Sequence, residues 1–265
     1  LGKGNRSDTI IIASINNDTG EVRLASVFRD TYLDMTTGKF NKANSAYSTG
    51  GPEQAIKMLN KNLDLTIEKY ISVDFAAMTD AVDLLGGIDI DVDETEIDHL
   101  NNYMVETSKV TGVASKPLTH TGLQTLDGVQ ATSYCRIRYT AGDDFKRTER
   151  QREVIQELVR KAKTMEISKI NDIINAVFPK IATNYSNKEL LEMAPQMIGY
   201  DIADTAGFPF DRETGTISGR GSCVIPVNLA ENVRQLHEFL YENYDYTPSS
   251  EVQKISEQIT ADTGY

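Results

Sequence analysis

Only two cysteines, Cys135 and Cys223, and three histidines, His99, His120 and His237, occur in 265 residues, and all are widely separated. Neither CxxC nor a Cys/His ligand spacing is present, so nothing in the pattern supports a zinc site. HExxH and GxSxG are also missing, which removes the support for zinc-protease and serine-hydrolase chemistry. The two thiols read as buried and free, and their even number permits one disulfide in an oxidising compartment. No run reaches the roughly 18 apolar residues of a membrane span, and the most apolar piece near the start is Ile10 to Ala13. The sequence opens on Leu1 without a signal-like stretch, so any anchor is expected upstream of it.

Excess positive charge is lacking too. Lys and Arg total 27 against 39 Asp and Glu, a formal net charge of -12, which argues against general nucleic-acid affinity and for no nucleic-acid partner. What is present is an ordinary globular mixture, 40% hydrophobic and 25% charged, without repeats or a low-complexity linker. One domain over 1–243 is the economical reading, with 93–122 as an insertion or flap and 244–265 as a polar tail lying on the surface.

The element pattern is α/β. "SDTIIIASIN" and "EVRLASVF" flank the turn former "NDTG" and predict an antiparallel hairpin, followed by a polar loop carrying Lys42 and Asn44. "GGPEQAIKMLNKNL" predicts a helix with Pro52 in its first turn. "KYISVDF" reads as a strand, "FAAMTDAVDLLGG" as a helix stopped by Gly86 and Gly87, and "IDIDV" as a strand. Asp127 and Gln130 in "LDGVQATSY" form a capping-box pair, and the alternation in "CRIRY" predicts a strand with Arg136 and Arg138 on one face. Helices follow near 145–164, 168–180 and 187–199. The strands "TAGFPF" and "GSCVIPV" flank the turn-rich "DRETGTISGRG", and a last helix covers 229–242.

The basic residues of this acidic chain crowd into "CRIRYTAGDDFKRTERQR", residues 135–152. On a helix from about Phe145, the apolar stripe of Val154, Ile155, Leu158, Val159 and Ala162 extends back to Arg147, Gln151 and, at its edge, Arg150. Lys146, Glu149 and Arg152 fall elsewhere, which makes Lys146 and Arg152 surface charges. An inward guanidinium needs an anion close by, and a helix N-terminus adds unpaired amides, so the pattern fits a phosphate site. The competing reading is an internal ion-pair network with Asp8, Asp30, Asp143 and Asp144. Asp8 and Asp144 suit a hard cation such as magnesium, which prefers carboxylate, water and phosphate oxygens. The apolar residues Phe75, Met78, Val82, Val154, Leu158, Ile170, Ile174 and Phe178 read individually as core.

Together "RSDT" (6–9), "FRDT" (28–31), "KANSAY" (42–47) and "YCRIRYTAGDDFKRTERQ" (134–151), with "GGPEQAI", "VDF", "AVDLLGGIDIDV" and "LDGVQA", resemble the LytR-CpsA-Psr family. The resemblance runs from about residue 6 to 164, and more loosely to 240. It implies a mixed central β-sheet flanked by helices on both sides. The implied activity is transfer of a glycopolymer, such as a teichoic acid or capsule, from an undecaprenyl-pyrophosphate carrier to a peptidoglycan hydroxyl. An upstream membrane helix would hold the protein at the extracellular face. By the same resemblance Asp8 and Asp144 hold Mg2+. Arg29, Lys42, Arg136, Arg138, Arg147, Arg150 and Gln151 grip the pyrophosphate, with Arg29, Arg136, Arg138 and Asp144 catalytic. Asp8, Asp30 and Asp144 stay open as the proton acceptor. The family's further aspartate, in a Gly-x-Asp-x-Arg-like strand end, has no counterpart in "LGKGN". A lipid-pyrophosphate hydrolase and a noncatalytic polyprenyl-phosphate binding module are the alternatives.

Overall fold

The expected hairpin opens the chain in the computed structural model, which describes residues 6–138 and 143–265. Strands β1 (Ile11–Ile15) and β2 (Glu21–Val27) pair antiparallel, with Ile12 opposite Ala25. The Asn16 side chain accepts from the amides of Asp18 and Thr19, and Gly20 takes a φ of 77° to close the turn. Where a polar loop was expected, β3 (Tyr32–Asp34) and β4 (Phe40–Lys42) form a second short hairpin. Helix α1 (Asn44–Leu63) is interrupted at Gly50 and Gly51, so Pro52 does open a helical piece as the sequence suggests.

The next stretch comprises β5 (Ile71–Ser72), α2 (Phe75–Leu84), β6 (Ile88–Val92), α3 (Ile97–Thr111), β7 (Gly122–Leu126), α4 (Gly128–Tyr134), α5 (Asp143–Lys163), α6 (Ile167–Val177), a 3-10 turn at Phe178–Lys180, β8 (Ala182–Thr183) and α7 (Asn187–Met197). It is followed by β9 (Asp201–Phe208), β10 (Arg212–Ile217), β11 (Gly221–Pro226), α8 (Leu229–Tyr241) and α9 (Ser250–Thr263). The class is α/β as expected. Two compact units are distinguished, one made of Leu1–Glu68 with Asp201–Tyr265 and the other of Lys69–Tyr200.

In the first unit β2 pairs antiparallel with β1 and parallel with β9, giving a mixed sheet with Ala25 opposite Ala206 on its second edge. The turn-rich segment after β9 is largely strand β10, paired antiparallel with β11. The sheet and helices enclose Leu33, Met58, Leu63, Phe208, Leu229 and Leu236. The supposed C-terminal tail is a core helix instead. Ser249 caps α9, Asp64 accepts from the Ser249 amide and hydroxyl at 2.7 Å each, and Val252, Ile255 and Ile259 are buried. Each such side chain contributes about 1.5–3 kcal/mol by leaving water, which explains why so polar a segment docks.

The second unit has its own cluster around Ile88, Ile90, Leu100, Leu126, Val129, Ile137 and Val154. The segment 93–122 is therefore no flap, because α3 buries Leu100 and Met104 there and β7 pairs with β6. Asp127 and Gln130 form the expected reciprocal cap of α4. Gly128 lets that helix approach α2 closely, since a Cβ would lie 2.1 Å from the Thr79 carbonyl oxygen. Residues 135–138 leave α4 as a turn and irregular chain, so the strand expected from "CRIRY" is not formed there. Tyr139 and the Asp143 side chain lie outside the described residues. Among the described residues no helix is long and apolar enough to cross a membrane.

Candidate functional site

In the first unit the charged residues gather just past the end of β2. The Phe28–Thr31 turn is braced by the Thr31 amide and hydroxyl, which donate to the Phe28 carbonyl at 2.9 and 2.6 Å. The Asn44 amide donates to Arg29 O at 2.9 Å and the Val224 amide to Asp30 O at 2.9 Å. On this fixed turn Arg29 Nη1 meets Asp8 Oδ1 at 2.6 Å and its Nε lies 3.9 Å from Asp30 Oδ2. Lys42 Nζ reaches Asp30 Oδ1 at 3.4 Å, and Asn44 Nδ2 donates to the same oxygen at 3.3 Å. Asn44 Oδ1 is buried without a hydrogen-bond partner among the described residues, a feature that marks a place for a ligand or water. The sequence reading placed Asn44 only in a polar loop; its position in "KANSAY" two residues after Lys42 was the available signal.

The second unit carries the arginine-rich group. Asp144, in the first turn of α5, is shared by two cations, with Arg147 Nη1 at 3.0 Å and Arg138 Nε at 3.5 Å from its Oδ1. Arg147 is 2% exposed, as its inward position on the helix predicted. Gln151, one turn further, donates through Nε2 to Cys135 O at 3.2 Å, while its Oε1 is buried without a partner among the described residues. The combination is a pair of guanidiniums spread about one carboxylate with an amide oriented alongside. Such forks bind phosphate oxygens with charge-assisted hydrogen bonds.

Other expected members stand elsewhere. Arg136 does not share a strand face with Arg138. It bonds Glu106 at 2.6 Å and Thr107 Oγ1 at 2.9 Å and lies over the rings of Phe75 and Tyr103. Arg150 is buried against Glu96, with Nε 2.7 Å from Oε1. Lys146 is a surface charge as read, paired with Glu149 at 2.8 Å. Arg152 is not: only 8% of it is exposed, and burial lowers its pKa. Arg152 does lie off the apolar stripe of α5, but that side of the helix is covered as well.

Internal ion pairs of the expected kind are thus present, with Asp8 and Asp144 neutralising part of the charge. Among the described residues no three Asp, Glu, His or Cys groups cluster to cage a metal. Single carboxylates do fit Mg2+, which usually shares one or two of them with phosphate and water. Neither cysteine is paired, and burial pushes the Cys135 thiol up to about 12, which removes it as a nucleophile. Of the apolar residues read as core, Val82 and Val154 are fully buried, and Met78 and Leu158 pack on their cluster. Helix α6, which lies against α2 and α7, buries none of its side chains although Ile167, Ile170, Ile174 and Val177 fall on one face.

The LytR_cpsA_psr family pattern matches residues 2–221. The chain is similar to the Bacillus subtilis polyisoprenyl-teichoic acid–peptidoglycan teichoic acid transferase TagV, with 28% identity over 94% of this chain and 62% of the relative. It is 32% identical to the Enterococcus faecalis polyisoprenyl-teichoic acid–peptidoglycan teichoic acid transferase TagU over 71% of this chain and 58% of that protein. The chain therefore spans about 60% of these relatives' lengths. The crystal structure of B. subtilis TagV superposes with a TM-score of 0.72 at 27% identity, covering 94% of each chain.

Proposed function

Because the chain belongs to the LytR_cpsA_psr family, we propose that it transfers a glycopolymer from a polyprenyl-pyrophosphate carrier to a peptidoglycan hydroxyl. The observation that carries the reading is the group on α5, where Arg138 and Arg147 spread from Asp144 beside the inward amide of Gln151. Two guanidiniums and an amide suit two linked phosphates better than a sugar or a neutral lipid. Arg29 and Lys42, with Asp8, are proposed to bear on phosphate oxygens as well. The names of the curated relatives support teichoic acid as the polymer class.

In the reaction the acceptor hydroxyl attacks the sugar-linked phosphorus, a new P–O bond forms, and the bond to the bridging oxygen breaks to release the lipid phosphate. The hydroxyl proton passes to a carboxylate. Arg138 and Arg147 meet the charge that develops on the phosphate oxygens, a preorganised stabilisation that typically dominates phosphoryl transfer. Mg2+, proposed to use the Asp144 carboxylate and, in the first unit taken by itself, that of Asp8, would supply further neutralisation of phosphate charge when bound. The transfer is proposed to take place at the extracellular face of the membrane, where peptidoglycan lies.

The test incubates the protein with a lipid-pyrophosphate-linked teichoic acid, Mg2+ and peptidoglycan. Polymer attached to the wall is the expected product. Free phosphorylated polymer would replace the reading by a hydrolase, and unchanged bound lipid by a carrier-binding module.

A further inference from the structure

Arg150 precedes Gln151 directly, yet its side chain serves another end. Its Nε lies 2.7 Å from Glu96 Oε1, with the two side chains 2% and 5% exposed. Its Nη1 donates to the carbonyl of Ile137 at 3.2 Å, and Ile137 is the fully buried residue immediately before Arg138. Glu96 is itself held at the entry to α3, where its Oε2 accepts from the Asp93 amide at 3.2 Å. Residues 135–138 have no sheet ladder. Besides the turn bonds of Arg136 N to Ser133 O and Ile137 N to Tyr134 O, two side chains of α5 hold their carbonyls, Arg150 at Ile137 O and Gln151 at Cys135 O.

We propose that the Glu96–Arg150 pair is a splint that sets Arg138 against α5, which makes Glu96 and Arg150 positioning residues for headgroup binding. The inference rests on the reading of the α5 group as a pyrophosphate site. Arg138 Nε lies 3.5 Å from Asp144 Oδ1, longer than a close charge-assisted hydrogen bond, while the backbone just before it is fixed at Ile137 O. Removing the negative charge of Glu96 takes away the carboxylate bonded to Arg150 Nε and leaves the farther charges of Glu153 and Asp93 to offset a buried cation, which favours a shift of the guanidinium toward them or toward water. The fork then leaves Ile137 O, and Arg138 loses its register with Arg147. A lysine at 150 keeps the charge but has a single nitrogen, which cannot hold Glu96 and Ile137 O in the fork geometry. Displacements of about 1 Å in a preorganised group can cost up to about 100-fold in function.

Two measurements on Glu96→Gln and Arg150→Lys test this. In the free protein, amide hydrogen exchange at residues 136–138 and 144–147 should quicken about tenfold in both variants, while α7 keeps its wild-type rates. Titration with geranylgeranyl pyrophosphate should show about tenfold weaker binding for Glu96→Gln, but less than about twofold further loss when Arg138→Ala is already present. Unchanged exchange at 136–138 overturns the splint. Equal losses in both backgrounds overturn it too, because a general stabiliser acts independently of Arg138. Faster exchange in a protein whose wild type ignores the pyrophosphate supports the splint and overturns the headgroup reading instead.

Discussion

Replacing Arg152 by methionine should stabilise the protein. Arg152 is 8% exposed, and its hydrogen bond, from Nη1 to Thr148 Oγ1, is long at 3.4 Å. Its Nε is buried with no partner among the described residues, and Glu149 is the one charge that favours its ionised form against burial. Taking an ion out of water costs several kcal/mol, and a distant Glu149 repays only part of this. Methionine keeps an unbranched stem in the same space and removes the charge. A net gain of about 1–3 kcal/mol is expected, within the range seen when buried ions give way to apolar groups. For a chain of this size that raises Tm by about 2–10 °C. Differential scanning calorimetry on Arg152→Met is the assay, with Lys146→Met at an exposed, paired position as the control that should change little. A lower Tm for Arg152→Met would refute the reasoning, because it would mean that the guanidinium is well compensated where it lies.

His237 should make stability fall in mild acid. Its ring stacks on Tyr246 at 3.6 Å and its Nε2 lies 2.9 Å from Leu63 O, while burial lowers its pKa below 6.5 despite the opposing influence of Asp64. The fold prefers the neutral ring, so its contribution is complete above about pH 6.5 and is lost as pH falls through the lowered folded value. Melting curves between about pH 7.5 and 5 should show that loss in wild type and less of it in His237→Phe. Gly128→Ala should prevent stable folding or shift the urea midpoint sharply down, because its methyl would meet Thr79 O at 2.1 Å. Arg29→Ala and Arg138→Ala should each impair polymer transfer while leaving the circular dichroism spectrum unchanged, and wild-type transfer in both would count against the site.

Local signals in the sequence carried much of this architecture. The alternation around "NDTG" produced β1 and β2, Gly86 and Gly87 do end α2 with φ of 80° and 85°, and Asp127 with Gln130 caps α4. The misreadings came from segments whose burial is decided by distant partners. Helix α3 has few apolar anchors, Leu100 and Met104 among them, and α9 shows Val252, Ile255 and Ile259 at helical spacing within a polar run. A packed partner is what makes such sparse stripes sufficient. Residues 135–138 of "CRIRY" are strand-like in composition but follow α4 directly as a turn and irregular chain, a case of context overriding β-propensity.

The same limit applied to the arginines. Helical phase correctly sent Arg147 and Gln151 inward, but the acid that takes each arginine is a long-range fact. Glu96 claims Arg150 from 54 residues away, and Glu106 claims Arg136 from 30. Neither pairing has a spacing signature, whereas Asp144 and Arg147 lie three residues apart on one helix.

The central claim is that the α5 cations hold a pyrophosphate, and isothermal titration of geranylgeranyl pyrophosphate into wild type and Arg138→Ala measures it most directly. Loss of one charge-assisted contact, about 1.5–3 kcal/mol, predicts binding weaker by about 10- to 150-fold in the variant. Equal affinity of the two proteins would contradict the account.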